Sequence, residues 1–203
     1  MPQPLSRVNP NASIIIGNAG DRPLLRHPEL AALAAEAIAS WANVESFMLK
    51  LFVEMFGGNE ALATNIFLSL SNQSAKNDAI RAAADSFFEN GSDELAVFRA
   101  LLAISKTNEK DRNKLAHWTW GDSPNLPDAL LLIDPRTTIG DLDKASVYVY
   151  RENDFLSIIE ANDRLCGFGL QFKFVISGHV ANRDGELLRE LMNEPEISQR
   201  IGG

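Results

Sequence analysis

Cysteine and histidine are scarce in this sequence, which has one cysteine, Cys166, and three histidines among its 203 residues. A single cysteine excludes an intramolecular disulfide and is typical of proteins kept in a reducing compartment. The histidines are scattered and show no metal-ligand spacing, so we expect no metal site. The sequence also lacks a glycine-rich phosphate loop, a nucleophile elbow and a dinucleotide-binding fingerprint, and we therefore expect no cofactor.

Long apolar runs are missing as well, and none approaches the length needed to span a membrane. Residues 1–20 lack the charged and apolar regions of a signal peptide. The hydrophobic fraction of 45% is that of a soluble globular protein. These features together predict a cytoplasmic protein without membrane contact.

The excess of acidic residues gives a net charge of −8, which argues against a general nucleic-acid-binding protein. One short stretch departs from this balance, because lysine and arginine outnumber carboxylates within residues 106–114. A small basic patch on an acidic body suits a short RNA contact or a mononucleotide. It does not suit a protein that tracks along a duplex.

Proline is absent from Glu29 to Ser123, and the few glycines in that stretch divide it into helical segments. Apolar residues recur there at the helical period, most clearly in the first segment. The predicted helices are Pro28–Phe56, Ala61–Leu70, Ala75–Phe88 and Ser92–Trp120, with Asn59 and Ser74 as caps of the second and third. The second and third of these helices belong to one segment, which a break at residues 71–74 interrupts.

The pattern changes after Gly121 from helical to strand-like. Two runs rich in apolar and β-branched residues, 129–134 and 145–150, are separated by turn residues that include Pro135 and Gly140. These features predict a β-hairpin inserted in the helical bundle.

A further long helix is predicted from its cap, Asp154, to Ile176. Gly167 and Gly169 each cost roughly 1 kcal/mol against alanine in a helix, and they fit a position where another helix or a second subunit passes close. A short helix over Gly185–Asn193 follows, and we expect the tail from Pro195 to be loose.

The predicted fold is mainly α, a bundle of about four long helices with an inserted β-hairpin. Residues 1–26 contain four prolines and predict an extended N-terminal arm. Within that arm, residues 13–17 form either a short edge strand or a segment that simply packs down. The bundle covers residues 27–180, and residues 181–203 hold the short helix and the tail.

Arg112 and His117 stand out near the end of the last predicted helix of the proline-free stretch. Arginine is a permanent cation whose planar donor fork suits a phosphate, and histidine exchanges a proton near neutral pH. Together they suit chemistry on a phosphodiester without a metal ion. Arg22 and His27 share the same spacing, but a proline follows Arg22 and the stretch has no helical period, so we favour Arg112 and His117.

The six residues from Arg112 to His117 resemble the Arg-Asn-x-x-x-His form of the HEPN superfamily motif. That superfamily is helical and usually dimeric, and it includes many metal-independent ribonucleases beside non-catalytic members. The resemblance implies that His117 acts as general acid or base, that Arg112 holds the phosphate, and that Asn113 orients the site. It also implies a homodimer, RNA or a nucleotide as ligand, and a protein antitoxin as a further partner in a toxin–antitoxin or defence role.

Four other residues are auxiliary or RNA-contacting candidates. Glu45 interrupts the apolar stripe of the first helix, where it either reaches solvent or pairs with Arg112 or Lys76 and fixes the site. Lys76 is otherwise a solvated surface charge. Lys114 and Trp118 lie beside the motif, and Trp118 is either a packing residue or a platform for an unpaired base.

The spacing of the motif leaves two structural alternatives open. Five residues subtend about 140° on an ideal helix, so either the helix loosens or Arg112 and His117 reach into a wide cleft shared by two subunits. The leading function is a metal-independent endoribonuclease acting on single-stranded or looped RNA. The alternatives are a non-catalytic dimeric bundle that binds a nucleotide or a protein, favoured by the acidic charge, and a dimer whose motif is only a helix end.

Overall fold

A computed structural model describes residues 1–18, 20–57, 59–137 and 142–202, so Gly140 of the predicted hairpin lies outside the described residues. The protein is mainly helical, as predicted. The helices of the described residues are α1 (Leu5–Val8), α2 (Pro23–Arg26), α3 (Pro28–Met55), α4 (Glu60–Ser69), α5 (Gln73–Phe87), α6 (Asp93–His117), α7 (Glu152–Ile176), α8 (Glu186–Asn193) and α9 (Pro195–Ile201). The strands are β1 (Gln3–Pro4), β2 (Ile15–Ile16), β3 (Thr119–Asp122), β4 (Leu130–Ile133) and β5 (Val147–Tyr150).

Side-chain caps account for the starts of two helices. Asn59 caps α4 as predicted, because its Oδ1 accepts a hydrogen bond from the Leu62 backbone N–H at 3.2 Å. The cap of α5 is Asn72 and not Ser74, since Asn72 Oδ1 accepts from the Ala75 N–H at 2.8 Å. Asn72 has the extended backbone of a capping residue, and Ser74 therefore lies inside the first turn of the helix.

Helix α6 ends at His117, three residues before the predicted end at Trp120. The Trp118 N–H still donates to the Lys114 carbonyl at 2.9 Å, which is the last bond of the helical pattern. From Thr119 onward the backbone pairs with β4 instead, and Trp120 lies opposite Leu132. Strand pairing thus takes over from the helix within one residue, and the motif occupies the last turns of α6.

The predicted hairpin is the centre of a larger sheet. Strands β4 and β5 pair antiparallel with Leu131 opposite Val149, as the sequence predicts. The prediction of a hairpin alone is wrong, because β1, β2 and β3 complete a five-stranded antiparallel sheet with the order β1-β5-β4-β3-β2. The described residues form nine α-helices, and a bundle of about four long helices is not confirmed.

The N-terminal segment belongs to this sheet and is not an extended arm. Strand β1 pairs with β5 at one edge, and β2 pairs with β3 at the other. The edge strand considered for residues 13–17 is present as Ile15–Ile16. The side chain of Leu5 in α1 is fully buried, so the segment contributes to the core as well as to the sheet.

The chain divides into two compact units that differ from the predicted domain bounds. The first unit, Met1–Trp41 with Asn108–Ala161, holds the whole sheet, and the second holds Ala42–Thr107 and the chain from Asn162 onward. In the first unit the sheet is buried on both faces. One apolar cluster contains Leu5, Ala12, Leu126, Ala129, Leu131, Ile133, Val147 and Val149. The other contains Ala34, Ala37, Leu115, Leu130, Leu132, Tyr150, Phe155 and Ile158.

The second unit is entirely helical among its described residues, and aromatic rings fill much of its core. The rings of Phe88, Phe98 and Phe172 lie with centroids 5.9–6.0 Å apart. The tail predicted to be loose forms α9, whose Ile197 is fully buried. Because α9 buries an apolar side chain, the tail is held to this unit.

The two glycines of α7 meet different surroundings. A Cβ added at Gly169 would lie 3.6 Å from the ring of Phe47, which is an ordinary contact. A Cβ added at Gly167 would meet nothing within 4 Å among the described residues. Phe47 of α3 therefore lies beside Gly169, at a distance that would admit a Cβ, and the predicted close approach is found at neither glycine among the described residues.

Gly121 is required where β3 lies between β2 and β4. A Cβ there would lie 2.8 Å from the Ile15 carbonyl oxygen and 3.1 Å from Ile133 Cδ1. We expect Gly121→Ala to lower the free energy of unfolding by about 1–3 kcal/mol, because backbone would have to move. Urea denaturation followed by circular dichroism measures this change.

Gly167→Ala is the matched control for that substitution. It places the same methyl group in open space on a helix, so we expect it to raise the free energy of unfolding by up to about 1 kcal/mol. Equal stabilities for Gly121→Ala and the unmodified protein would contradict the tight packing of β3.

Candidate functional site

The orientation of the motif is set by Leu115, which lies between Arg112 and His117 in α6. Leu115 is buried in the apolar cluster on one face of the sheet, together with Leu130 and Tyr150. On an ideal helix Arg112 lies about 60° from Leu115 and His117 about 160° from it. Arg112 is accordingly half-buried, whereas His117 is exposed.

Arg112 is tied to its neighbour Asn113. Its Nη1 donates to Asn113 Oδ1 at 3.0 Å, and Asn113 Nδ2 donates in turn to Glu109 Oε1 at 3.4 Å. The Nε–H of Arg112 is buried and has no hydrogen-bond partner among the described residues. A buried donor without a partner costs about 1–3 kcal/mol, so this guanidinium keeps unused hydrogen-bonding capacity. Asn113 thus contacts both Arg112 and Glu109 through its side-chain amide.

His117 is the last residue of α6 and presents its ring to solvent. No hydrogen bond or ion pair reaches this ring from the part of the chain that the structure describes. The helix does not loosen before it, because α6 is continuous from Asp93 to His117. Of the two alternatives for bringing Arg112 and His117 together, the loosened helix is therefore wrong.

Lys114 and Trp118 form a cluster with two residues that the sequence did not single out, Asp111 and Tyr148. Lys114 Nζ lies 3.2 Å from Asp111 Oδ1. The same ammonium lies 6.0 Å from the centroid of the Trp118 ring and 5.7 Å from that of Tyr148. Tyr148 comes from β5, a distant part of the sequence, and only the sheet brings it beside α6.

Glu45 and Lys76 lie in the second unit, where the structure brings them together. Lys76 Nζ is 3.6 Å from Glu45 Oε1 and 5.2 Å from the centroid of the Phe67 ring. Lys76 is thus one of the two partners considered for Glu45. Both side chains are partly exposed, and such a pair is worth only about 0–1 kcal/mol. The contacts of these two residues lie within the second unit and do not hold the turn that carries Arg112.

The sequence analysis missed a cluster of charged side chains around the buried Asp122. Asp122 accepts two hydrogen bonds from Arg26, from Nε at 2.6 Å and from Nη2 at 2.8 Å. Its Oδ2 also lies 3.5 Å from His27 Nε2. His27, which the sequence analysis considered together with Arg22, therefore lies in this cluster beside Arg26.

The cluster links the junction of α2 and α3 to β3. The hydrogen bonds from Arg26 hold the pKa of the Asp122 carboxyl below its usual range, although burial opposes this shift. The same hydrogen bonds raise the pKa of Arg26. The position of Asp122 after Gly121 does not by itself indicate an ion pair, because its partner Arg26 is far away in the sequence. The role that follows from these contacts is structural.

Comparison of the chain with protein-family models, with curated proteins and with solved structures finds no match. Within the described ranges, no helix is long and apolar enough to cross a membrane. The same residues contain no group of three or more His, Cys, Asp and Glu side chains placed to hold one metal ion. The geometry of the side chains is therefore the basis for any functional proposal.

The Asp122 cluster predicts a pH-dependent contribution to stability. The folded-state pKa of Asp122 is lowered, so its contribution is complete above the unfolded value of about 3.9 and is lost as the pH falls through the folded value. We expect Asp122→Asn to lower the melting temperature at neutral pH. The gap to the unmodified protein should narrow as the pH falls below about 3.9, which differential scanning fluorimetry across pH will measure.

Asp85→Asn is the matched control, because Asp85 forms an exposed pair with Arg99 at 2.9 Å. We expect this substitution to change the melting temperature little at any pH. If the difference in melting temperature between Asp122→Asn and the unmodified protein stays constant down to acid pH, the carboxylate charge does not contribute to stability.

Proposed function

We propose that this protein is a metal-independent endoribonuclease of HEPN-like type that acts on single-stranded or looped RNA. The site is the last two turns of α6, with Arg112, Asn113 and His117 as its central residues. Arg112 holds the scissile phosphate, His117 transfers a proton, and Asn113 keeps the guanidinium in place. The proposal rests on the motif and on the state of these three side chains.

The observation that carries the proposal is the contrast between Arg112 and His117. The guanidinium is anchored through Nη1 by Asn113 while its Nε–H is buried without a partner in the described structure. The imidazole is exposed, and no contact from the described residues holds it. An anchored cation with unused donors suits an oxyanion, and a free imidazole suits proton transfer to a bound substrate.

A homodimer would complete this site. Arg112 and His117 diverge by about 140° around a straight helix, so one copy presents them in different directions. A two-fold axis near the end of α6 would bring a second motif to face the first. A cleft shared by two copies would accommodate this divergence in a helix that is continuous to His117.

The proposed reaction needs only the RNA and these side chains. His117 removes the proton of a ribose 2′-hydroxyl, and the 2′-oxygen forms a bond to the adjacent phosphorus. The bond from phosphorus to the 5′-oxygen breaks, and that oxygen takes up a proton from water, while His117 returns to water the proton that it removed. Arg112 stabilises the charge on the phosphate oxygens as it develops. The products are a 2′,3′-cyclic phosphate and a 5′-hydroxyl.

A second candidate function is a non-catalytic, dimeric bundle that binds a nucleotide or a protein partner, such as an antitoxin. The net charge of −8 favours it, because a nuclease must attract a polyanion. The hydrogen bond from Arg112 to Asn113 favours it too, since that bond already uses part of the donor fork. Both functions use the same surface, and cleavage separates them.

Cleavage of a structured RNA in EDTA tests the first function. We expect the purified protein to cut unpaired regions and to leave 2′,3′-cyclic phosphate ends. His117→Ala should abolish cutting because the proton-transfer group is gone. Arg112→Lys should reduce it severely because an ammonium cannot reproduce a bidentate fork. A 2′-deoxy sugar at the cut site should block cleavage, because it removes the nucleophile.

His179→Ala and Arg99→Lys are the matched controls, since both residues belong to the second unit. These variants should cut RNA at the normal rate. Cleavage that requires Mg²⁺, or that survives His117→Ala, would overturn the assigned roles. If RNA binds with no cleavage under any condition, the binding module is the better description.

The shared cleft predicts that the protein is a homodimer and that inactive variants complement each other. Light scattering at micromolar concentration should give twice the mass of one chain. Mixing His117→Ala with Arg112→Ala after dissociation should restore up to about a quarter of the activity, because one of the two sites in each mixed dimer is intact. A monomer, or no recovery on mixing, would argue that each chain carries its own site.

A further inference from the structure

The ring pair next to the motif packs against the apolar cluster that contains Leu115. We call Trp118 and Tyr148 the aromatic pair; their ring centroids lie 5.9 Å apart with the planes inclined at 55°. Both rings are half-buried, so each keeps part of its surface in solvent. Trp118 follows His117 directly, and Tyr148 lies on β5 opposite Leu132 of the central strand. The sheet thus holds an aromatic surface beside the end of α6.

A positive charge stands beside the aromatic pair. Lys114 Nζ lies 6.0 Å and 5.7 Å from the two ring centroids and 3.2 Å from Asp111 Oδ1. The side chains of Lys114 and Asp111 are 31% and 39% exposed, so solvent weakens their attraction. Ion pairs of this kind are worth about 0–1 kcal/mol, and a phosphate can therefore displace Asp111 from the lysine at little cost.

Lys114 is also close to the proposed catalytic histidine. Residues three apart in a helix are neighbours on its surface, with Cβ atoms about 5–6 Å apart, and Lys114 and His117 have this spacing in the continuous helix α6. An RNA phosphate held by Lys114 would therefore lie within about one nucleotide step of His117. The aromatic pair would then be next to the base of that nucleotide.

We propose that Trp118, Tyr148 and Lys114 form a subsite for one unpaired nucleobase and its phosphate. The base stacks on the exposed part of the aromatic pair, and Lys114 binds the phosphate in place of Asp111. The assignment to a strand that His117 cleaves rests on the proposed function. Every base has an aromatic face, so this subsite selects unpaired nucleotides over duplex and does not select a sequence.

Binding of a non-cleavable probe tests the subsite independently of catalysis. The probe is a short, labelled oligodeoxythymidylate, compared with an abasic oligomer of the same length. We expect the unmodified protein to bind the thymidylate more tightly, and Tyr148→Ala to raise its Kd about ten-fold, in the range of one lost stacking contact. Tyr148→Phe, which keeps the ring, should stay within about two-fold of the unmodified protein.

Tryptophan fluorescence supplies a second measurement that does not depend on the Tyr148 variants. Thymidylate should quench the emission, and the quenching should be lost in Trp118→Phe but retained in Trp41→Phe, because the Trp41 side chain is buried. His179→Ala, whose residue lies in the second unit, should bind as well as the unmodified protein, and no measurement with this deoxy probe depends on cleavage. The proposed nuclease function can then fail while the subsite stands.

Three results would overturn the subsite. The first is equal affinity of Tyr148→Ala and the unmodified protein for thymidylate. The second is an equal loss of affinity of Tyr148→Ala for the abasic probe, which would mean that the ring acts through the fold or the phosphate. The third is binding without quenching, or no binding of thymidylate at all, because Trp118 would then have no base to contact.

Discussion

Burial of β4 on both faces is the constraint on which the first unit depends. All four of its side chains, Leu130 to Ile133, are fully buried. Burying one such side chain contributes about 1.5–3 kcal/mol relative to leaving it exposed. Leu131 and Ile133 belong to one apolar cluster, and Leu130 and Leu132 belong to the other. The strand therefore requires cover on two sides, and α6 supplies part of that cover through Leu115.

The need to cover β4 also determines how the side chains of the candidate site are oriented. Leu115 must face the sheet, so the rotation of the last turn of α6 about its axis is fixed. The same rotation leaves Arg112 half-buried and turns His117 to solvent. The two chemical roles proposed for these residues, an anchored cation and a free imidazole, thus follow from the packing of an apolar neighbour.

The long helices could be predicted from sequence because their signals are local. Apolar spacing, absent proline and capping residues all act within one or two turns, and the predicted ends of α3 and α7 fall within two residues of the observed ones. The edge strand β1 could not be predicted, because Gln3 and Pro4 form a strand only by pairing with Val149 and Tyr148. A strand of only two residues is too short to show an alternation of apolar and polar side chains.

The same distinction separates the parts of the site. Arg112, Asn113 and His117 lie within six residues, so a motif could identify them, and their helix is a local structure. Tyr148 lies beside Lys114 only because the sheet places it there. Arg26 reaches Asp122 only because of the turn before α3. No spacing in the sequence encodes such contacts. Glu45 was identified by a break in an apolar stripe, which predicts a partner such as Lys76 without saying what the pair does.

The single residue between α6 and β3 has a consequence for how the sequence can vary. Trp118 alone separates the last helical residue, His117, from the first strand residue, Thr119. Successive side chains in a strand point to opposite faces, so one inserted or deleted residue would turn Trp120 and Gly121 over or break their pairing. Related proteins with this junction should therefore vary in residue type here but keep its length, and changes of length should occur in surface loops.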